Sequence, residues 1–380
     1  FRLLLKDWQP MNISFLRFLA LMGIFIGLVI PLITHADAKV SGEYPSLVSS
    51  LKIGASHNFC NEDVPIKSQE IRERFEKELL LSLWDRPQVI LWLKRSHRYL
   101  PHIEKKLEEN GVPDDLKYIA VAESALRPHV GSRKGAIGFW QFTSATARKY
   151  GLVVDKYVDE RRNIFASTEA AIQYLKQLHQ DFGSWTLAAA AYNMGEGGLM
   201  AEIMEQGTNN YYTLYLPLET QRYLFRILSV KMILSDPETY GFKLSKKDAY
   251  PPLSFDQVKV VCSREIPIRI LAQAAKTHFK AIKDLNPELR GHYLAKGEHT
   301  ILVPRGSSMG FQKRYTSLEK KYSATRKEKI YIVKEGDNLS VIADRFGVPL
   351  AALIIWNRID LERPIHPGDR LIINQENTTP

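Results

Sequence analysis

One carboxylate in this chain sits where its neighbours argue against it. In residues 113–128, PDDLKYIAVAESALRP, positions Leu116, Ile119, Glu123 and Leu126 recur at intervals of three, four and three, so a helix turns all four to one side. Asp114 or Asp115 supplies an N-cap and Pro128 closes the segment. A Glu facing a core is costly unless paired or protonated. Desolvation raises its pKa above the usual value of roughly 4.3, which keeps it protonated and able to act as a general acid near neutral pH. A plainer reading stands beside this one, in which Glu123 pairs with Arg127 or Arg133 at a helix end and has no chemical role.

Other residues suited to holding a ligand follow in order. Gly131, Gly135 and Gly138 precede Phe139-Trp140-Gln141-Phe142, where glycines allow close backbone approach, Gln141 can hydrogen-bond an amide and the rings can stack on a sugar face. The same stretch also reads as a turn around a buried Trp140. Residues 167–182 and 185–194 are predicted helices, the second ending at Tyr192-Asn193-Met194-Gly195, where Gly195 suits a left-handed cap and leaves the Tyr192 hydroxyl and Asn193 amide at a helix end. A further helix over 221–235 carries Tyr223.

The elements that must position these groups are mainly helical. Over residues 68–110, Ile71, Phe75, Leu79, Leu83, Val89, Leu93 and Leu100 predict long amphipathic helices broken near Pro87, with Trp84 and Trp92 as core rings; residues 39–67 read as irregular. The chain has 380 residues, 45% hydrophobic and 25% charged, enough for two or three domains. Its net charge of +10 suits a polyanionic partner, but no compact basic and aromatic cluster accompanies it, so nucleic acid is not expected. From Met11, with residues 1–10 upstream of that expected initiator, Arg17, an apolar run over 18–33 and Ala36-Asp37-Ala38 read as a secretory signal peptide, residues 1–38. If that segment is retained, it is a membrane anchor. Cys60 and Cys262 lie about two hundred residues apart and could pair or stay free. Nothing calls for a metal or other cofactor, or for an oligomer.

In combination the motifs are specific. ESAL at Glu123, GAIGFWQF at Gly135, AYNMGEG at Ala191 and ETQRY at Glu219 resemble the four motifs of lytic transglycosylases with a lysozyme-like catalytic domain, of the membrane-bound lytic murein transglycosylase D type. The resemblance covers about residues 105–240. It implies that Glu123 is the single acid and base, and that the reaction cleaves the β-1,4 bond between N-acetylmuramic acid and N-acetylglucosamine in peptidoglycan glycan strands to leave a 1,6-anhydromuramyl end. It also implies that Tyr192, Asn193 and Gln141 position the substrate acetamido group, that Tyr223 orients Glu123, and that Ser132 and Trp140 line the saccharide groove. A two-carboxylate glycosidase needs a second acid near the first, and the motifs offer none, since Glu219 opens a helix; the sugar's own acetamido oxygen can instead be the nucleophile. Alternatives are a hydrolytic muramidase of the same fold, a non-catalytic wall-binding protein and, furthest from the motifs, a chitinase-like enzyme.

Residues 329–373 read strand, helix, helix, strand, and EGDNLSVIA, Trp356-Asn357 and PGDRL resemble a LysM module, a family that binds N-acetylglucosamine-containing glycans. A second copy matches seventy-one residues upstream without gaps: Ile268, Leu271, Ala272, Ile282, Asn286, Gly297 and Ile301 against Leu339, Ile342, Ala343, Leu353, Asn357, Gly368 and Ile372. It departs at Glu265-Ile266, where the intact copy has Gly336-Asp337. The expected layout is therefore a helical extension (39–104), a mainly α lysozyme-like catalytic domain (105–245; α+β overall), and small βααβ LysM-type modules: a degenerate one (256–304), a linker (305–328) and the intact one (329–374). The expected location is the periplasm or cell envelope.

Overall fold

The computed structural model of the chain describes residues 46–325, 329–361 and 364–374, so the expected signal segment lies outside the described residues. The first hydrophobic core runs continuously from Phe59 to Phe242. It opens with a hairpin, β1 (His57–Phe59) and β2 (Glu62–Val64), turned by Cys60 and Asn61 at positive φ, with Phe59, Val64 and Ile66 buried. The stretch expected to be irregular thus contains a small sheet, because two residues that tolerate the turn bring short apolar strands together.

Helices α1 (Gln69–Trp84) and α2 (Arg86–Glu109) are separated at Asp85, whose side chain accepts from the Gln88 amide, with Pro87 in the first turn of α2 where no intrahelical bond is lost. Ile71, Phe75, Leu79, Leu83, Val89, Leu93 and Leu100 are all buried. Trp92 is buried too, but Trp84 is 75% exposed, against expectation. It lies one residue past Leu83, about 100° around the helix from the apolar stripe. The expected boundary between residues 104 and 105 falls inside α2, which runs unbroken across it, so extension and catalytic region share one core.

A 3-10 turn (Asp114–Leu116) leads into α3 (Lys117–Ser124). Neither Asp caps it: Asp114 pairs with Lys117, and Asp115 accepts from the Cys60 amide and Lys231. The helix stops four residues short of Pro128, since Ala125 and Leu126 both take left-handed backbone conformations. Then come α4 (Ser144–Lys149), a 3-10 turn at Glu160–Arg162, α5 (Ile164–Phe182), α6 (Trp185–Met194), α7 (Glu196–Gln206) and α8 (Leu218–Ser235). Ala188 to Ala191 are buried, and their small side chains let α6 pack closely between α5 and α8. Gly195 has φ 94 and ψ 140, not the left-handed cap expected, a conformation open essentially to glycine alone that breaks the chain direction between α6 and α7.

The second core is built on an antiparallel ribbon of β3 (Phe255–Cys262) and β6 (Gly297–Pro304). Between them lie β4 (Ile266–Pro267), α9 (Ile268–Ala274), α10 (Phe279–Leu285) and β5 (Tyr293–Leu294). The third repeats that order more simply, with β7 (Lys329–Ile332), α12 (Leu339–Arg345), α13 (Leu350–Asn357) and β8 (Arg370–Asn374); α11 (Phe311–Thr325) precedes it. In each unit one asparagine locks the last strand: Asn286 exchanges two hydrogen bonds with the Leu302 backbone, and Asn357 does so with Ile372. The spacings are 16 and 15 residues, so the gapless match fails at the last strand. The counterpart of Ile372 is Leu302 and not Ile301; Ile301 and Val303 point into their core as Leu371 and Ile373 do in theirs. A slip of one residue would have turned that strand's apolar face to solvent.

Much of the expected 305–328 linker is α11, with Phe311 and Tyr315 almost fully buried on the second core. The apolar residues at 311, 315, 318 and 322 form a helical stripe that its polar, basic composition obscures. Cys60 and Cys262 are both free and buried, one in each of the first two cores. Phe311→Ala should lower the unfolding free energy of the second core by about 3–5 kcal/mol and open residues 311–325 to limited proteolysis; a cleavage pattern like that of the unaltered chain would show that α11 adds no packing energy.

Candidate active site

The site is assembled where α3, α6 and α8 meet. Glu123 occupies the last turn of α3, and the left-handed pair Ala125–Leu126 then turns the chain sharply, so Leu126 is buried just beyond the helix end. Ser124 is buried beside it, and its hydroxyl donates to the Phe139 carbonyl at 2.8 Å, fastening α3 to the glycine-rich loop. Glu123 keeps part of its surface open to solvent, while its carboxyl group lies deep among protein atoms. Neither Arg127 nor Arg133 pairs with it among the described residues. Its partner is Tyr223 on α8, which is 1% exposed and donates its hydroxyl to Oε1 at 2.5 Å.

Burial pushes the Glu123 carboxyl up to about 7. The Tyr223 hydrogen bond and the Arg226 charge pull the other way, and Glu219, exposed on the first turn of α8, adds to the rise. Arg226 is held toward the buried Glu78 carboxylate of α1, which also pairs with Arg222 at 2.5 Å. The carboxyl is therefore divided between its protonated and ionised forms near neutral pH. Tyr223 occupies one oxygen and leaves Oε2 for a ligand.

Tyr192, near the end of α6, is close enough for the Glu123 charge to act on it, and its hydroxyl donates to the Trp140 carbonyl at 2.6 Å. Its oxygen lone pairs stay able to accept. Asn193 accepts from the Thr220 hydroxyl at 2.9 Å through Oδ1, which fixes the amide with Nδ2 outward. Glu62 of the hairpin sets the start of the same helix: its carboxylate accepts from Ser184 Oγ and the Trp185 and Thr186 amides. Burial alone would raise the Glu62 pKa, but these hydrogen bonds outweigh it and hold it below the usual carboxylate range.

The loop of residues 130–142 forms the other wall. Gln141 lies in it at φ 50 and spends its Nε2 on the Val130 and Gly138 carbonyls, so only its Oε1 can meet a ligand. Ser132 is exposed at the loop tip, where its hydroxyl accepts from the Ala136 amide. Trp140 corrects an expectation: it is 0% exposed, its indole N–H donates to Thr168, and its ring is core that no sugar can reach. Its contribution is the carbonyl that holds Tyr192. The loop's anchor was missed from sequence. Arg161 is buried, paired with Asp159 through two contacts of 2.8 and 2.9 Å, and donates to the Gly135 and Phe142 carbonyls. At Gly138 a Cβ would lie 1.8 Å from the Arg161 carbonyl oxygen, and φ is +88, so only glycine lets the two segments touch.

Residues 101–214 match the transglycosylase SLT domain and residues 331–374 the LysM domain. The chain carries a transglycosylase SLT domain and a LysM domain. Glu123, Gln141, Tyr192 and Asn193 lie inside the SLT match, whereas Tyr223 lies beyond its end. The chain is 30% identical over 295 residues to membrane-bound lytic murein transglycosylase D of Escherichia coli strain K12, covering 73% of this chain and 64% of that protein, somewhat under two thirds of its length. It is 38% identical over 121 residues to peptidoglycan transglycosylase gp16 of Escherichia phage T7, 28% of this chain and 9% of that one. A solved structure, the 70 kDa soluble lytic transglycosylase of Escherichia coli, aligns over 47% of this chain and 31% of its own at 20% identity, with a TM-score of 0.32 too low to build on.

Two predictions follow from the SLT-domain carboxyl. Its pKa is raised by folding, so its ionisation destabilises the fold: the penalty is absent below about 4.5, develops as pH rises toward 7, and is complete above that. Glu123→Gln should thus be more stable than the unaltered chain at pH 8, by about 1–3 kcal/mol, with the difference closing by pH 4 in thermal melts. Because the Tyr223 hydrogen bond lowers the pKa, Tyr223→Phe should move the Glu123 titration, followed by carboxyl-carbon NMR, to higher pH; a shift downward would contradict the assigned role.

Proposed function

We propose that this chain is a peptidoglycan lytic transglycosylase that cleaves the β-1,4 bond between N-acetylmuramic acid and N-acetylglucosamine without adding water. The observation that supports this most is the single enclosed carboxyl at Glu123, poised near neutrality and held by one tyrosine. The acidic side chain whose charge bears on it, Glu219, is exposed on a helix start and suits neither a nucleophile nor a water-activating base. With one carboxyl, the chemistry must come from the sugar.

In this reading Glu123 Oε2 protonates the glycosidic oxygen as the bond to C1 breaks, and the 2-acetamido oxygen closes on C1 from the other face. The carboxylate so formed then takes the proton of the C6 hydroxyl, whose oxygen attacks C1, reopens the acetamido ring and gives the 1,6-anhydro product. Asn193 Nδ2, the Tyr192 oxygen and Gln141 Oε1 are the groups that would fix the acetamido group, and Ser132 lies at the rim. The relatives bearing murein and peptidoglycan transglycosylase names support the same substrate.

The LysM domain would hold the enzyme on the insoluble wall and raise the local concentration of its catalytic domain. Residues 256–304, with the same outer strand, two helices and last strand, the added short β4 and β5, and the same asparagine lock, are a second, degenerate module. A cell-envelope location, export by the N-terminal segment and a monomeric enzyme complete the proposal. Among the described residues no single helix is long and apolar enough to cross a membrane.

The test is the mass of the products from purified peptidoglycan. Anhydromuramyl ends are expected, lighter by one water than reducing ends, and Glu123→Gln should lower their rate of release by about 10²–10⁴-fold with its circular dichroism unchanged. Reducing ends alone would make the protein a muramidase, and a fully active variant would remove Glu123 from the mechanism.

A further inference from the structure

Away from Glu123, a groove of about 950 Å³ runs between α9 and α11. Neither matched family covers it: it lies after residue 214 and before residue 331. Five of its lining residues are cationic, Arg269, Lys276, Lys313, Arg314 and Lys321, and no lining residue is acidic. Among the described residues, none of Arg269, Lys276, Lys313 and Arg314 is paired with a carboxylate. Arg314 is instead pinned by backbone, its guanidinium donating to the carbonyls of Ala274 at 2.6 Å, Met309 at 2.9 Å and Ser307 at 3.3 Å. A positive charge is thus built rigidly into the wall with no counter-charge of its own.

The groove exists only because α11 folds back on the second core. Its floor is apolar at Ile270, Leu318 and Tyr322, and Arg269 lies against the Tyr322 ring at 5.8 Å. Lys313 and Lys321 stand two helical turns apart on α11, a separation of about 12 Å that about four extended residues would span. Cations on both walls over an apolar floor complement a short extended chain bearing carboxylates and aliphatic groups. A nucleic acid would want exposed aromatic faces for its bases, and a vesicle a flat or protruding surface rather than a cleft.

We propose that this groove binds the short carboxylate-bearing peptides carried by peptidoglycan strands, so that the chain holds its polymer by peptide as well as by sugar. This rests on the function proposed above for the substrate's identity, while the groove's chemistry stands without it. The carboxylates would meet Arg269, Lys276 and Lys313, with Arg314 setting the field, and the aliphatic portions would lie on Leu318 and Tyr322. Attraction between partly exposed charges weakens with salt, so binding should too.

The experiment uses the full chain and three probes: a free acidic stem tetrapeptide, glycan strands stripped of peptide, and polyphosphate. The tetrapeptide should bind in calorimetry, more weakly as salt rises, and the triple variant Arg269→Gln/Lys276→Gln/Lys313→Gln should lose about tenfold in affinity while cleaving peptide-free glycan at the original rate. These three positions are at least partly exposed and outside any core, so the variant should fold. Tetrapeptide affinity unchanged in the variant, or polyphosphate binding with no tetrapeptide binding, overturns the proposal. Loss of glycan cleavage in both proteins, with peptide binding intact in the unaltered chain and lost in the variant, would instead refute the enzymatic reading and leave the groove's assignment standing.

Discussion

The hydrogen bond from the Tyr223 hydroxyl to Glu123 is the contact on which the rest of the site depends. A carboxyl among apolar neighbours would by itself stay protonated well above neutrality, useful as an acid and useless as a base. One neutral donor stabilises its charged form without supplying a full opposite charge, which would drag the pKa down into the ordinary range and spoil the acid. The fold places the two partners on different helices, so their contact exists only when α3 and α8 are packed. The Glu78 pairs with Arg222 and Arg226 hold α1 against α8 while keeping the Arg226 charge at one remove from the site.

The second wall is fixed by a different principle. Residues 130–142 contain little regular structure, and a loop of that kind would ordinarily be mobile. Here buried polar groups replace the missing ladder: Arg161 reaches two carbonyls, Gln141 two more, and Ser124 and Tyr192 one each. Arg161, Ser124 and Tyr192 lie on three other segments and Gln141 ties the loop to itself, so the loop is held from several directions at once.

How much of this was legible in the sequence depends on what kind of group makes each contact. The odd placement of Glu123 on an apolar stripe, the aromatic and amide residues near it, and the strand–helix–helix–strand order at the C-terminal end were readable because they are written in side chains at fixed spacing. Arg161 was not, since its partners on the loop are carbonyl oxygens, which every residue has. The end of α3 was misplaced because Ala125 and Leu126 are not the glycines that normally announce a left-handed turn. The linker was misread because the lysines of α11 drown the four-residue rhythm beneath them, and Trp140 was assigned to the groove by resemblance although a tryptophan among glycines reads better as a buried plug, which it is. The extra residue in the upstream module could be found only from the asparagine lock, which registers the last strand regardless of loop length.

The two thiols carry a quieter consequence. Cys60 lies in one core and Cys262 in another, each closed off from solvent, and burial raises the thiol pKa of both, so neither is a ready thiolate. The described fold thereby stands without a cross-link between its cores: neither sulfur takes part in a disulfide, and neither is open to an oxidant in solvent.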